Sequence, residues 1–153
     1  MIANRSMPSS TVTPVLVYPD LAQAVDWLCE VFGFTERVRI GSHRSQLTIG
    51  DGSVIATAHP RGSGNGPSKR SAAPPLRSMD SSHSIMVRLA NVDRHYERAK
   101  QRGAKILQAP SDYPYGERQY SAEDLGGHAW TFSQSVADVA PEEWGGTVVT
   151  GRR

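Results

Sequence analysis

What the chain lacks narrows the field first. It has a single cysteine, Cys29, so it can form no intramolecular disulfide, which fits a reducing compartment. Its formal net charge of +2 leaves no dense basic face, so nucleic acid is not an expected partner. No apolar run approaches the roughly 18 residues of a membrane span. The opening "MIANRSMPSSTVT" has no hydrophobic core for a signal peptide. A cytoplasmic protein without membrane contact is therefore expected. Phosphate-cradling chemistry lacks its motif, because "GSGNGPSK" has neither the "GK[ST]" ending nor a strand-to-helix context. No serine sits in a "G-x-S-x-G" elbow. Cys29 lies in a helical stretch and reads as a small core hydrophobe rather than a nucleophile.

Hydrophobic residues make up 38% of the chain, a little low for a globular protein. The diluting Gly, Pro and Ser concentrate at the N-terminus, residues 1–12, which reads as disordered, and in "PRGSGNGPSKRSAAPPLRSMDSS", residues 60–82. The latter reads as a flexible linker, or in a sharper reading a lid over a ligand.

Between these segments the same order of elements occurs twice. "TPVLVY" reads as a strand, and "PDLAQAVDWLCEVFGF" as a helix with Asp20 at its start and Gly33 as C-cap. "TERVRI", "SQLTI" and "SVIATAH" follow as strands, the last two joined through Gly50-Asp51-Gly52. In the second half, "HSIMVRL" is a strand, "NVDRHYERAKQRGA" a helix ending at Gly103, and "AKILQAP", "RQYSAE" and "HAWTFSQ" are strands. The prediction is an α+β fold of two β-α-β-β-β modules, residues 13–59 and 83–134, in one domain spanning 13–134. Side by side they would form a curved mixed sheet around a cavity, with the helices outside. Residues 135–153 form a C-terminal extension.

This layout resembles the vicinal oxygen chelate superfamily, which includes glyoxalase I, extradiol dioxygenases and fosfomycin- and bleomycin-resistance proteins. The carrying stretches are "YPDLAQAVDWLCEVFGF", "NVDRHYERAKQRGA" and "YGERQYSAEDLGGHAWTFSQ". The last is most similar to the bleomycin-resistance or PhnB-like branch, with its Tyr-Gly step and "D-x-x-G-H-x-W" turn. The resemblance implies four metal-ligand positions, on the first and last strand of each half. Here they fall at Thr13 (or Pro14), Ala56, Ser84 and Thr131, none of them a good ligand. Strand alternation points His83 away from the Ser84 position. His59, His128, His43 and His95 fall at a strand end, a turn, a loop and a helix. No metal and no cofactor are therefore expected.

A four-residue loop from Asp124 to Gly127 would place Glu123 opposite His128, Ala122 opposite Ala129, Tyr120 opposite Thr131 and Arg118 opposite Ser133. With Thr131 marking the cavity, Arg118, Tyr120, Ala122, Ala129 and Ser133 should line it too. Trp130 and Phe132 should be core. Met86 joins Ser84, and Leu47, Ile49, Ala56 and Ala58 line the other half, giving an apolar wall with few polar points. Arg118 is a candidate to hold a carboxylate or phosphate, or else to pair with an internal acid such as Glu117 or Glu123, and Tyr120 for a hydroxyl contact and a stacking face; Tyr113 and Tyr115 are candidates for the rim. Trp144 in the extension should be docked, on a partner or on its own sheet. The expected ligand-binding set is Arg118, Tyr120, Thr131, Ser133, Tyr115, Ser84, Met86 and Leu47.

The reading is a metal-free protein sequestering a small organic molecule in a homodimer cavity, with no catalytic residue assigned. The alternative is a metal-dependent lyase or dioxygenase of the glyoxalase type with noncanonical ligands. A non-metal enzyme using Arg118 or Tyr120, and a structural dimer with a filled cavity, stand further back.

Overall fold

The computed structural model describes residues 2–59 and 82–150. The expected linker, Ser82 apart, lies outside them. Strand β1 (Val15–Tyr18), helix α1 (Leu21–Phe32) and strands β2 (Thr35–Ile40), β3 (Arg44–Ile49) and β4 (Gly52–Ala58) form the first module. Strand β5 (Ile85–Arg88), helix α2 (Val92–Gln101) and strands β6 (Lys105–Tyr113), β7 (Glu117–Glu123) and β8 (Ala129–Ser135) form the second. The sheets have equivalent topology, β1-β4-β3-β2 and β5-β8-β7-β6, and in each the first strand pairs parallel to the last. A parallel pair needs a crossover, and the intervening helix supplies it. The predicted α+β architecture of two β-α-β-β-β modules is what the chain adopts.

The first helix starts and stops where the sequence says it should, while the second ends at Gln101, with Arg102 as its C-cap, two residues before the expected Gly103. The Asp20 side chain accepts from Gln23 N at 3.0 Å, and Asn91 does the same for Arg94 N at 3.0 Å. Each satisfies one of the amides a helix start leaves without an intrahelical partner. Gly33 ends α1 in the left-handed region at φ 80°, which only glycine enters without strain.

In the first module, α1 buries Leu21, Ala24, Val25, Leu28, Val31 and Phe32. They pack on the sheet face that carries Leu16, Tyr18, Leu47, Val54 and Ala56, all buried. Two observations identify this face. Glu36 influences the Cys29 thiol on α1, and Ser45 donates to Glu36 at 3.0 Å. Leu47 lies two residues beyond Ser45 on β3, hence on the same face. Leu47 and Ala56 therefore belong to the helix-covered core, not to the opposite face where they were expected. Burial raises the Cys29 thiol pKa first; the nearby Glu36 and Asp26 charges raise it further.

Candidate functional site

The second module offers the clearest candidate surface, and its geometry hangs on one turn. Asp124 N donates to His128 O at 2.9 Å, so Leu125, Gly126 and Gly127 alone make the loop. Gly127 takes φ 86°, the left-handed residue such a short loop requires. The pairing becomes Glu123 with Ala129, Ala122 with Trp130, Ser121 with Thr131, Tyr120 with Phe132, Gln119 with Ser133 and Arg118 with Gln134. This corrects the expected register by one residue. Because side chains alternate, one residue moves half of the strand pair to the other face.

Asp124 builds the turn. One carboxylate oxygen accepts from His128 N at 2.9 Å and the other from Trp130 Nε1 at 3.0 Å. The "D-x-x-G-H-x-W" signature is thus a structural lock that seats a fully buried indole.

Trp130 and Phe132 lie in the core, as expected. The corrected register adds Ala122 and Tyr120 to the same helix-facing layer, and both are fully buried. Tyr120 stacks on Phe132, with ring centroids 5.1 Å apart, and its hydroxyl is 2.5 Å from His95 Nδ1 on α2. Burial drives the Tyr120 phenol pKa far above its usual value. Arg118 also faces α2. It holds Asp93 in the first turn of that helix at 3.0 Å and Asp112 on β6 at 3.1 Å. These contacts raise its pKa, the Asp93 hydrogen bond most. Gln134, its cross-strand neighbour, accepts from Val92 N at 2.9 Å at the start of α2. Arg118 and Tyr120, expected in the cavity wall, are instead engaged between sheet and helix.

The helix-free face of this sheet carries the other residues. Met86 pairs with Thr131 and Arg88 with Ser133, so they share this face with Gln119 and Ser121; alternation adds Ser84. Ser121 and Thr131 hydroxyls are 3.0 Å apart. Gln119 Nε2 donates to Ser133 Oγ at 3.0 Å, and Ser133 Oγ donates to Glu117 at 2.9 Å. Ser135 Oγ also donates to Glu117, at 2.8 Å. Tyr115 extends the chain, its hydroxyl donating to Gln119 Oε1 at 3.4 Å. Tyr115 stacks on Tyr113, with centroids 5.3 Å apart, and meets the edge of Trp144 at 5.8 Å. Desolvation is the first cause of the raised Tyr115 pKa. Trp144 is half-exposed, its indole donating to Val139 O at 3.1 Å. The wall is therefore a ladder of hydroxyls, a carboxamide and the Glu117 carboxylate ending at an aromatic shelf, rather than the apolar surface expected. Arg88, Gln119, Ser121 and Glu117 were missed, although shortening the loop by one residue would have found the last three.

The residues present do not fit a metal of the kind the resemblance implies. The second module offers only the Ser84 and Thr131 hydroxyls at the implied positions. In the first, Ala56 is in the core, and its helix-free neighbours are Ile55 and Thr57. Among the described residues, no three His, Cys, Asp or Glu side chains gather into a metal-binding group. Also among them, no helix is long and apolar enough to cross a membrane.

Comparison with known proteins supports the fold from outside. The profile of the Glyoxalase/Bleomycin resistance protein/Dioxygenase superfamily matches residues 11–132. TioX from Micromonospora sp. ML1 is 32% identical in sequence; the match covers 83% of this chain and 99% of that one, with a TM-score of 0.65. The genomically encoded fosfomycin resistance protein FosX from Listeria monocytogenes shares the fold at 16% identity, with coverage of 90% and 98% and a TM-score of 0.62. A glyoxalase/bleomycin resistance protein/dioxygenase from Nocardioides does so at 20% identity, with coverage of 92% and 90% and a TM-score of 0.59. A search of curated proteins finds no match. Two repeated modules, the turn locked by Asp124 and a profile match across both sheets lead to one conclusion: the chain belongs to the glyoxalase/bleomycin resistance protein/dioxygenase superfamily.

Proposed function

We propose that this protein binds a small organic molecule without a metal, on the bleomycin-resistance side of its superfamily, and acts by sequestering it. The observation that carries this reading is the helix-free face of the second sheet, where the implied metal positions Ser84 and Thr131 carry only hydroxyls. Ser121, Thr131 and Gln119 suit an uncharged polar group, and the Tyr113–Tyr115–Trp144 shelf offers π-faces for a planar ring. A few fixed polar points beside an aromatic surface orient a ligand and supply its burial energy.

A homodimer belongs to the same proposal. Val15 and Val17 on β1 and Met86 on β5 are exposed apolar side chains on strands at sheet edges, and Met86 is 65% exposed. Two-fold pairing is the commonest way to cover such surfaces.

The test is isothermal titration with a panel of planar aromatic antibiotics, bleomycin-type glycopeptides among them, on protein stripped of metal with a chelator. Saturable binding that Thr131→Val and Trp144→Ala each weaken is the expected result. Turnover of a glyoxalase- or dioxygenase-type substrate only after metal is restored would replace this reading with the enzymatic one.

A further inference from the structure

The first module shows a contact that the reading above does not use. Its helix-free face is covered in part by the chain's own N-terminus. Gln46 Nε2 donates to Ser6 O at 2.7 Å, and Arg37 Nη2 donates to Arg5 O at 2.9 Å. Arg37 Nη1 also donates to Gln46 Oε1, which fixes the orientation of the carboxamide. Gln46 is 2% exposed and its neighbour Ile55 1%, although both point away from α1. Pro8 is buried as well.

Arg37 is placed for this contact by a backbone irregularity. Glu36 pairs with Leu47 and Val38 with Gln46, so Arg37 is the extra residue of a β-bulge. Bulges re-aim a side chain out of the regular alternation and are frequent beside binding sites. Here the bulge brings a guanidinium and a carboxamide together as two donors aimed at consecutive peptide carbonyls. Beside them lies a cleft of about 90 Å3, bounded by Pro8, Arg37, Thr48 and Ser53.

Two donors, a buried aliphatic side chain and an adjoining cleft form a recognition site for amide or ester carbonyls. We infer that the Arg37–Gln46 pair is a carbonyl-binding subsite for a peptide-like ligand, and that residues 5–8 are a strap occupying it until such a ligand displaces them. The strap is a poor permanent cover. It contacts the sheet through two backbone carbonyls, which any peptide offers, and of its four residues only Pro8 is buried. A competing ligand needs only the same two acceptors and a better apolar group over Ile55. Apparent affinity is then reduced by the fraction of molecules with the strap in place.

Two experiments on variants of the whole chain test this without a natural ligand. In the first, residues 5–8 are replaced by glycine, which raises the entropy of the undocked strap. The probe is a blocked synthetic peptide of residues 3–9. The glycine variant should bind it about tenfold more tightly than the wild type, and adding Gln46→Leu should remove that binding. Equal affinity of the wild type and the glycine variant, or binding indifferent to Gln46→Leu, would overturn the inference. In the second, Gln46→Leu alone is compared with wild type for tryptic cleavage of the Arg5-Ser6 bond, followed by mass spectrometry. Docking withdraws the Arg5 carbonyl from the protease, so the variant should be cut about tenfold faster. Equal cleavage rates would show that the strap is not held. Neither readout involves the second sheet, so the outcome is independent of the sequestration proposal.

Discussion

Replacing Asp124 with alanine removes two acceptors at once. The His128 amide and the Trp130 indole N–H, now 2.9 and 3.0 Å from the carboxylate, lose their partner. The indole is fully buried, so water cannot take over without opening the core. A buried donor left unsatisfied costs about 1–3 kcal/mol. With the partly accessible His128 amide included, Asp124→Ala should cost about 2–5 kcal/mol, roughly 5–15 °C in Tm for a chain of this size. Asp124→Asn keeps one acceptor oxygen but presents an N–H₂ group to one of the two donors, so it should fall between wild type and alanine. Urea unfolding followed by tryptophan fluorescence and far-ultraviolet circular dichroism measures both. A loss below about 0.5 kcal/mol for Asp124→Ala, the range of an unremarkable surface substitution, would refute the assignment of this aspartate as the lock of the hairpin.

Gly116 combines φ +84° with a Cβ position 2.1 Å from Ala137 O, so Gly116→Ala should destabilise by about 2–4 kcal/mol in the same unfolding assay. Arg118→Met should leave the binding of any ligand found in the antibiotic panel unchanged within about twofold, while Thr131→Val weakens it several-fold; the reverse pattern would restore the uncorrected strand register. The Tyr120 phenol should stay protonated past the ordinary value of 10.0, because burial raises its pKa in the folded state only. The unfolded chain therefore releases that proton first, so the stability this group contributes is present below about pH 10 and is lost as pH rises beyond it. Tyr120→Phe should flatten that alkaline decline and cost about 1 kcal/mol at neutral pH through the lost His95 contact, as read from urea midpoints across pH. Burial-raised Cys29 should react with a thiol reagent at pH 8 several-fold more slowly than free cysteine.

Much of the fold is legible in the chain because local signals agree with one another. Asp20 and Gly33 mark the ends of the first helix through hydrogen bonds and backbone freedom that depend on the adjacent residues alone. The site was harder to read, because it depends on which way a strand faces. From its sequence, the Asp124–Gly127 segment suits a four-residue loop. The Asp124 amide instead pairs with His128, and one residue of difference carries Arg118 and Tyr120 from the expected cavity face to the helix. Leu47 and Ala56 moved for a related reason: an aliphatic residue on a strand suits a core and a ligand wall equally well, and only packing against α1 distinguishes them. The contact of residues 5–6 with Arg37 and Gln46 spans 32 and 40 residues of sequence, through a bulge that no periodicity marks.

By itself, then, the sequence determined the two modules, the ends of the first helix, the aromatic core under the second helix and the family resemblance. All of these follow from short-range patterns of hydrophobicity and turn chemistry. Only the tertiary structure decided which residues share the helix-free faces, that Arg118 belongs to a helix anchor, and that the N-terminus lies over the first sheet. Those are properties of strand register and long-range packing, where a shift of one residue reverses a face.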